Sequence, residues 1–149
     1  MGFTRSSAAC PTRHDLTKGD GYYREQVNQL TAFIDASQVY GSSEEDAIVL
    51  RADGNGRLAM GDKDLLPRDP ASEECVGEEQ CFLAGDSRVN EQVGLTAFHT
   101  IFNREHNRIA DEIQRLNPDF SAERVYQEAR KIVGAEMQVR LYVSIIMIR

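Results

Sequence analysis

The chain has 149 residues, which is enough for one modest domain with a hydrophobic core. Its 41% hydrophobic and 28% charged residues are ordinary for a globular protein. A formal net charge of −7 argues against non-specific binding to nucleic acid or to an anionic membrane surface. No apolar run is long enough for a membrane span, and we expect no signal peptide at the start of the chain.

The first half of the chain is predicted to be largely irregular. Residues 1–28 are polar, and residues 29–40 form a compact apolar segment that ends at Gly41. Ser42 is predicted to cap a short helix, because acidic residues follow in its first turn. Residues 52–80 are rich in glycine, aspartate and glutamate, and we expect a long loop there.

The three cysteines allow two interpretations. Cys75 and Cys81 are close in sequence within a polar loop, so a local disulfide is plausible and would imply an oxidising compartment. Cys10 is then left without a partner among the three. The alternative is three unrelated reduced thiols. We predict that Cys75 bonds Cys81 and that Cys10 bonds neither.

The second half predicts two amphipathic helices, so the fold class is mainly α. Apolar residues recur at steps of three and four over about 92–116, and this helix should stop at Pro118. The predicted stripe consists of Val93, Leu95, Phe98, Phe102, Ile109, Ile113 and Leu116. A second helix over about 121–138 should be capped by Ser121. Its apolar face should carry Val125, Ala129, Ile132 and Val133. The apolar tail 139–149 carries no clear structural signal.

Oxygen-bearing side chains stand at Thr31, Asp35 and Ser37. In an extended or irregular loop, alternate residues point the same way, and such an oxygen set suits calcium. A single carboxylate is few for calcium, and capping of a helix by Asp35 or Ser37 is the alternative.

Three other side chains are candidates for chemistry. Arg88 and Glu91 are three apart just before the long helix, where the alternative is a solvated ion pair. His99 and His106 are seven apart, about 10 Å along a helix, which is too far for one metal ion. We expect His106 to be a buried histidine that donates to a backbone carbonyl, and neither histidine to ligate a metal or haem.

Three blocks of sequence resemble the animal haem peroxidase family in order and spacing. They are QLTAFIDASQVYGS at 29–42, CFLAGDSRVNE at 81–91, and the helical motifs HT at 99–100, REHNR at 104–108 and YQEARKIVGA at 126–135. The resemblance covers about residues 3–138, and FTRSSAAC at 3–10 favours the peroxidasin branch. It therefore implies a partial peroxidase domain over 1–138 and a divergent tail over 139–149, within the helical peroxidase fold.

The resemblance also implies specific roles. Thr31, Phe33 (through its backbone carbonyl), Asp35 and Ser37 would ligate calcium. Arg88 would be the distal arginine, which stabilises negative charge on peroxide as the O–O bond breaks. Glu91 would form an ester with haem b. The family's reaction would use hydrogen peroxide and a small or protein electron donor, outside the cell.

Two family residues have no counterpart in this sequence, namely the distal and the proximal histidine. We therefore expect a piece of a haem peroxidase that is inactive alone and needs the missing segments of the domain as partners. One alternative is a non-catalytic, calcium-binding, peroxidase-like adhesion domain. Another is an unrelated helical interaction module.

Overall fold

The computed structural model describes residues 7–10, 25–69 and 81–147, with side chains up to residue 143. The chain divides into two compact units, Met1–Ala32 and Phe33–Arg149. In the first unit, the described residues form a short antiparallel pairing between Ala8 and Gln26. The Ala9 N–H donates to the Glu25 carbonyl at 3.0 Å, and the Val27 N–H donates to the Ser7 carbonyl at 2.8 Å.

The second unit is mainly α, as the sequence predicts. Its described elements are, in chain order, helix α1 (Ser37–Tyr40), helix α2 (Glu44–Val49), a 3-10 turn (Asp62–Asp64), strand β1 (Arg68–Asp69), strand β2 (Cys81–Phe82), a second 3-10 turn (Ser87–Asn90), helix α3 (Val93–Leu116) and helix α4 (Ala122–Met147). The two strands are antiparallel, with Arg68 opposite Phe82. Within the predicted loop 52–80, the described residues 52–69 are mostly irregular.

The cap of α2 differs from the prediction by one residue. Ser43, not Ser42, is the N-cap: its hydroxyl accepts from the Asp46 N–H, and the Asp46 carboxylate accepts from the Ser43 N–H at 3.2 Å. This reciprocal capping box satisfies two N–H groups that the helix itself leaves unpaired. Glu45 stands three residues after Ser42, so the sequence pattern allowed such a box at either serine.

The two long helices confirm the periodicity argument. Helix α3 ends at Leu116, two residues before Pro118. Helix α4 begins after Ser121, whose hydroxyl accepts from the Arg124 N–H at 3.3 Å as predicted for a cap. It then continues without a break through residue 139 to Met147. None of the helices in the described parts of the chain is long and apolar enough to cross a membrane.

The buried face of α3 was only partly predicted. Three members of the predicted apolar stripe are largely exposed, namely Val93, Phe98 and Leu116. The buried positions are His99, Thr100, Asn103, His106, Asn107, Ile109 and Ala110. These also recur at steps of three and four, but most are polar, so a search for apolar residues finds only part of this face.

Hydrogen bonds explain this polar face. The Asn107 amide pairs with both backbone groups of Leu58, accepting from its N–H at 2.7 Å and donating to its carbonyl at 3.0 Å. A buried polar side chain is stable where its hydrogen bonds are made. The side chain thus acts as a strand partner for the loop.

The hydrophobic core lies among α1, α3, α4 and the loop around Leu58. Its buried members are Ala36, Val39, Tyr40, Leu50, Leu58, Ile109, Ala110, Val125, Tyr126, Ala129 and Val133. On α4, Val125, Ala129 and Val133 are fully buried as predicted. Ile132 is 43% exposed, which corrects the prediction: the buried face of α4 includes Tyr126 rather than Ile132.

Candidate functional site

Arg88 and Glu91 lie on a short turn of their own. The 3-10 turn Ser87–Asn90 precedes α3, and Glu91 is the residue that ends it. The Glu91 N–H donates to the Arg88 carbonyl at 3.0 Å, so the two backbones are joined directly. The Arg88 side chain is 57% exposed and Glu91 is also exposed. Both candidate residues therefore lie on one turn, exposed at the surface of the second unit.

The partner of Arg88 is Asp86 rather than Glu91. The Asp86 carboxylate accepts from Arg88 Nε at 2.9 Å and from Nη2 at 2.6 Å. The same carboxylate caps the turn by accepting from the Arg88 backbone N–H at 2.9 Å. The hydrogen bond from the Arg88 side chain is the main reason that the pKa of Asp86 lies below its usual range. The alternative of a simple Arg88–Glu91 ion pair is thus not what forms.

Two side-chain contacts anchor this turn on either side. The Asn90 amide accepts from the Phe82 N–H at 2.9 Å and donates to the Phe82 carbonyl at 2.9 Å. The Thr96 hydroxyl, one turn into α3, donates to the Val89 carbonyl at 2.7 Å. The backbone that carries Arg88 is therefore fixed to both β2 and α3.

Gly85 brings the Arg88 segment against helix α1. A Cβ atom at Gly85 would lie 2.3 Å from the Gly41 nitrogen and 2.6 Å from the Ser37 carbonyl oxygen. Real Cβ atoms do not approach backbone this closely, so only glycine fits here. This contact joins the segment of Arg88 to the end of the segment in which calcium ligands were predicted.

The four predicted calcium ligands fall on both sides of the division between the units. Thr31 belongs to the first unit, whereas Phe33, Asp35 and Ser37 belong to the second. Asp35 Oδ1 accepts from the Ser37 N–H at 3.0 Å, in a turn whose next residue, Ala36, has a positive φ of 62°. Ala36 is the N-cap residue of α1, and Asp35 supplies the carboxylate that accepts from the first N–H of that helix, in line with the capping or turn alternative. Phe33 is 81% exposed, and only its backbone carbonyl could serve the predicted role, because its ring carries no oxygen.

His106 is buried as predicted, and both of its ring nitrogens are engaged. Nε2 faces the Gly56 carbonyl at 3.0 Å and therefore carries the proton, while Nδ1 accepts from the Tyr40 hydroxyl at 2.8 Å. Burial lowers the pKa of His106 to about 4. His99 donates through Nδ1 to the Leu95 carbonyl at 2.7 Å, and its Nε2 is buried. Both ring nitrogens of His106 are thus hydrogen-bonded, whereas His99 has only its Nδ1 hydrogen-bonded among the described residues.

The described residues include two of the three cysteines, Cys10 and Cys81. Cys10 is exposed with a free thiol. Cys81 is buried at the start of β2. Cys75 lies outside the described residues, so its bond to Cys81 stays a prediction.

Comparison with known proteins identifies the family. Residues 1–146 match the family model described as animal haem peroxidase. The chain belongs to the animal haem peroxidase family. It is 48% identical over 153 residues to the human protein named peroxidasin homolog, covering 93% of this chain and 10% of that protein. It is 45% identical over 154 residues to mouse eosinophil peroxidase, covering 94% and 21% respectively.

A solved structure agrees with this family assignment. Peroxidase A from Dictyostelium discoideum superposes with a TM-score of 0.70 at 34% identity, covering 76% of this chain and 24% of that one. The chain thus spans 10% to 21% of the length of the two curated relatives. As a peroxidase-family segment it carries one part of a larger domain fold.

Sequence reasoning missed Asp86 as a member of the site. A signal was present, since aspartate two residues before Arg88 is a typical N-cap, and its carboxylate can reach the side chain that follows. Sequence reasoning also missed the role of the Asn90 amide. Polar residues that bond to nearby backbone leave no periodic pattern in the sequence.

Proposed function

We propose that this chain supplies the distal-arginine face of a haem peroxidase site, with Arg88 stabilising charge on the bound peroxide. The observation that supports the proposal is the position of Arg88 and Glu91, adjacent and exposed on one turn that is tied down on both sides. A guanidinium group is always charged and cannot act as a base. Its contribution is therefore electrostatic, at the oxygen that gains negative charge as peroxide is reduced.

The residues present fit one side of a haem and not the other. Glu91 is an exposed carboxylate next to the arginine and can bond to a haem methyl as an ester. Bound haem b would supply the redox chemistry of peroxide reduction. Within the described residues, both ring nitrogens of His106 are hydrogen-bonded and His99 Nε2 is buried, so we propose that the protein ligand to the iron comes from elsewhere.

We therefore propose that the chain alone is inactive. A positioned acid–base group typically contributes about 10²–10⁴-fold to such a reaction, and Arg88 cannot replace it. The alternative of a non-catalytic peroxidase-like domain is less well supported, because Arg88 and Glu91 are both present and held in place.

The resemblance extends the proposal to calcium and to the compartment. Thr31, the Phe33 carbonyl, Asp35 and Ser37 would be the calcium ligands, an all-oxygen set of the kind calcium prefers. Secretion and a Cys75–Cys81 disulfide belong to the same proposal. Calcium should raise the melting temperature of the protein, and Asp35→Ala should abolish that rise whereas Asp53→Ala, in an exposed loop, should not.

The experiment that tests the function measures the reaction with hydrogen peroxide. In a haem-loaded protein that joins this chain to the rest of a peroxidase domain, Arg88→Ala should slow the peroxide step about 10²–10³-fold. Arg108→Ala is the matched control, since Arg108 is an exposed arginine that pairs with its own carboxylate, Glu105. The chain by itself, mixed with haem, should oxidise a donor no faster than free haem. An unchanged peroxide step in Arg88→Ala would refute the proposal.

A further inference from the structure

Asp86 forms a bidentate salt bridge with one edge of the Arg88 guanidinium group, the edge that carries Nε and Nη2. Its two carboxylate oxygens accept from Nε at 2.9 Å and from Nη2 at 2.6 Å, which is the paired, two-pronged geometry of a strong arginine–carboxylate contact. An arginine side chain has five N–H donors, so this contact leaves three free, all on the end formed by Nη1 and Nη2. The remaining donors therefore point away from Asp86.

The burial of Asp86 makes its salt bridge with Arg88 difficult to break. Asp86 is only 8% exposed, although the Arg88 side chain is 57% exposed. If Arg88 turned away, a largely buried carboxylate would lose its ionic partner, which is strongly unfavourable. The same carboxylate holds the Arg88 backbone N–H at 2.9 Å, so the backbone and the side chain of Arg88 are fixed by one group.

The rest of the turn prevents Asp86 and Arg88 from moving together. Asn90 is paired with the Phe82 backbone, and Thr96 holds the Val89 carbonyl. Gly85, the residue before Asp86, lies directly against the backbone of α1. The position of the carboxylate is therefore set by three separate elements.

We propose that Asp86 is the positioning residue for Arg88, fixing its guanidinium group so that the Nη1–Nη2 end is presented to the peroxide. This inference rests on the proposed role of Arg88 in the peroxide step. Asp86 does not touch the substrate and acts only through the arginine. Its removal should therefore impair the reaction with peroxide and leave the reaction with the electron donor unchanged.

The test uses Asp86→Asn in the haem-loaded protein, with and without Arg88→Ala. Asparagine is as good an N-cap as aspartate, so the turn should be kept while the salt bridge is lost. The rate constant for the peroxide step should fall about 10–100-fold, as is typical when a group that orients a reacting residue is removed. The rate of donor oxidation should not change. In the Arg88→Ala background, Asp86→Asn should have no further effect.

The matched control is Glu105→Gln. Glu105 forms a bidentate salt bridge with Arg108 at the same two distances, 2.9 Å to Nε and 2.6 Å to Nη2. It lies on α3, away from the turn that carries Arg88. It should leave the peroxide step unchanged. If Asp86→Asn does not fold, Asp86→Ser keeps a capping oxygen and replaces it in the same design.

The outcomes separate the two proposals. A slow peroxide step in Arg88→Ala together with a normal one in Asp86→Asn would overturn the positioning role alone. The positioning role would also be overturned if Asp86→Asn slowed the peroxide step by the same factor with and without Arg88→Ala. Asp86 would then act independently of Arg88. A normal peroxide step in Arg88→Ala would overturn the proposed function itself.

Discussion

At the scale of single residues, buried polar side chains help to specify how the second unit, Phe33–Arg149, packs. His106 lies at the centre, bonded to Tyr40 and to the Gly56 carbonyl, and its ring lies 5.4 Å from the Tyr126 ring. The guanidinium group of Arg51 stacks over the other face of this cluster, 3.6 Å from the centre of the Tyr126 ring. The charged form of His106 is therefore disfavoured both by burial and by nearby arginines.

This arrangement predicts an acid-sensitive fold. The pKa of His106 is about 4 in the folded protein and about 6.5 in an unfolded chain, so the unfolded state binds the proton first. The stabilisation is complete above about pH 6.5 and is lost as the pH falls towards 4. The loss should be about 3 kcal/mol, since each pKa unit corresponds to about 1.4 kcal/mol.

Chemical denaturation of the chain at a series of pH values measures this effect. In His106→Gln, the dependence of unfolding free energy on pH between 4 and 6.5 should be much flatter than in the wild type. Parallel pH curves for the two proteins would show that another group is responsible.

At the scale of elements, packing of the Arg88 segment against α1 depends on one glycine. Gly85→Ala would place a methyl group 2.3 Å from the Gly41 nitrogen and 2.8 Å from the Tyr40 nitrogen. The clash is with backbone, so no side-chain rotation can relieve it. We expect a loss of stability of about 1–3 kcal/mol, the usual cost of overpacking.

Gly134→Ala is the matched control for this change. Gly134 lies inside α4, and its nearest neighbour would be the Asp35 carbonyl oxygen at 3.9 Å, an ordinary contact. Alanine is favoured over glycine in a helix by about 1 kcal/mol, so this variant should be at least as stable as the wild type. If urea unfolding shows equal stability for the two variants, the close packing of Gly85 is wrong.

The comparison of sequence with structure also belongs at this scale. Both long helices and the Ser121 cap were predictable, because steps of three and four and a proline stop act locally along the chain. The buried face of α3 was predictable only in part, because Asn107 is buried for a hydrogen bond to Leu58, a residue far away in sequence. The candidate site divides in the same way. Arg88 and Glu91 were found by their resemblance to a family, whereas the Asp86 contact required the three-dimensional turn.

At the scale of the whole molecule, the chain is a segment of the animal haem peroxidase family, and its proposed site lies on the turn from Asp86 to Glu91. Contacts with β2, α3 and α1 hold the turn from Asp86 to Glu91 in place. Rigid placement of charged groups is what electrostatic catalysis requires. The exposed Phe98 and Ile101, on α3 beyond this turn, leave an apolar surface that the rest of a peroxidase domain can cover.

The central claim is that the Arg88–Glu91 turn faces a bound haem, and the most direct measurement is mass spectrometry of the haem linkage. A haem-loaded protein containing this chain is incubated with hydrogen peroxide, digested, and its peptides are weighed. We predict that haem is bound covalently to the peptide that contains Glu91 and that this attachment is lost in Glu91→Gln. It should be retained in Glu112→Gln, which removes a carboxylate on the exposed face of α3. Peptides with Glu91 free of haem, or unchanged attachment in Glu91→Gln, would contradict the account.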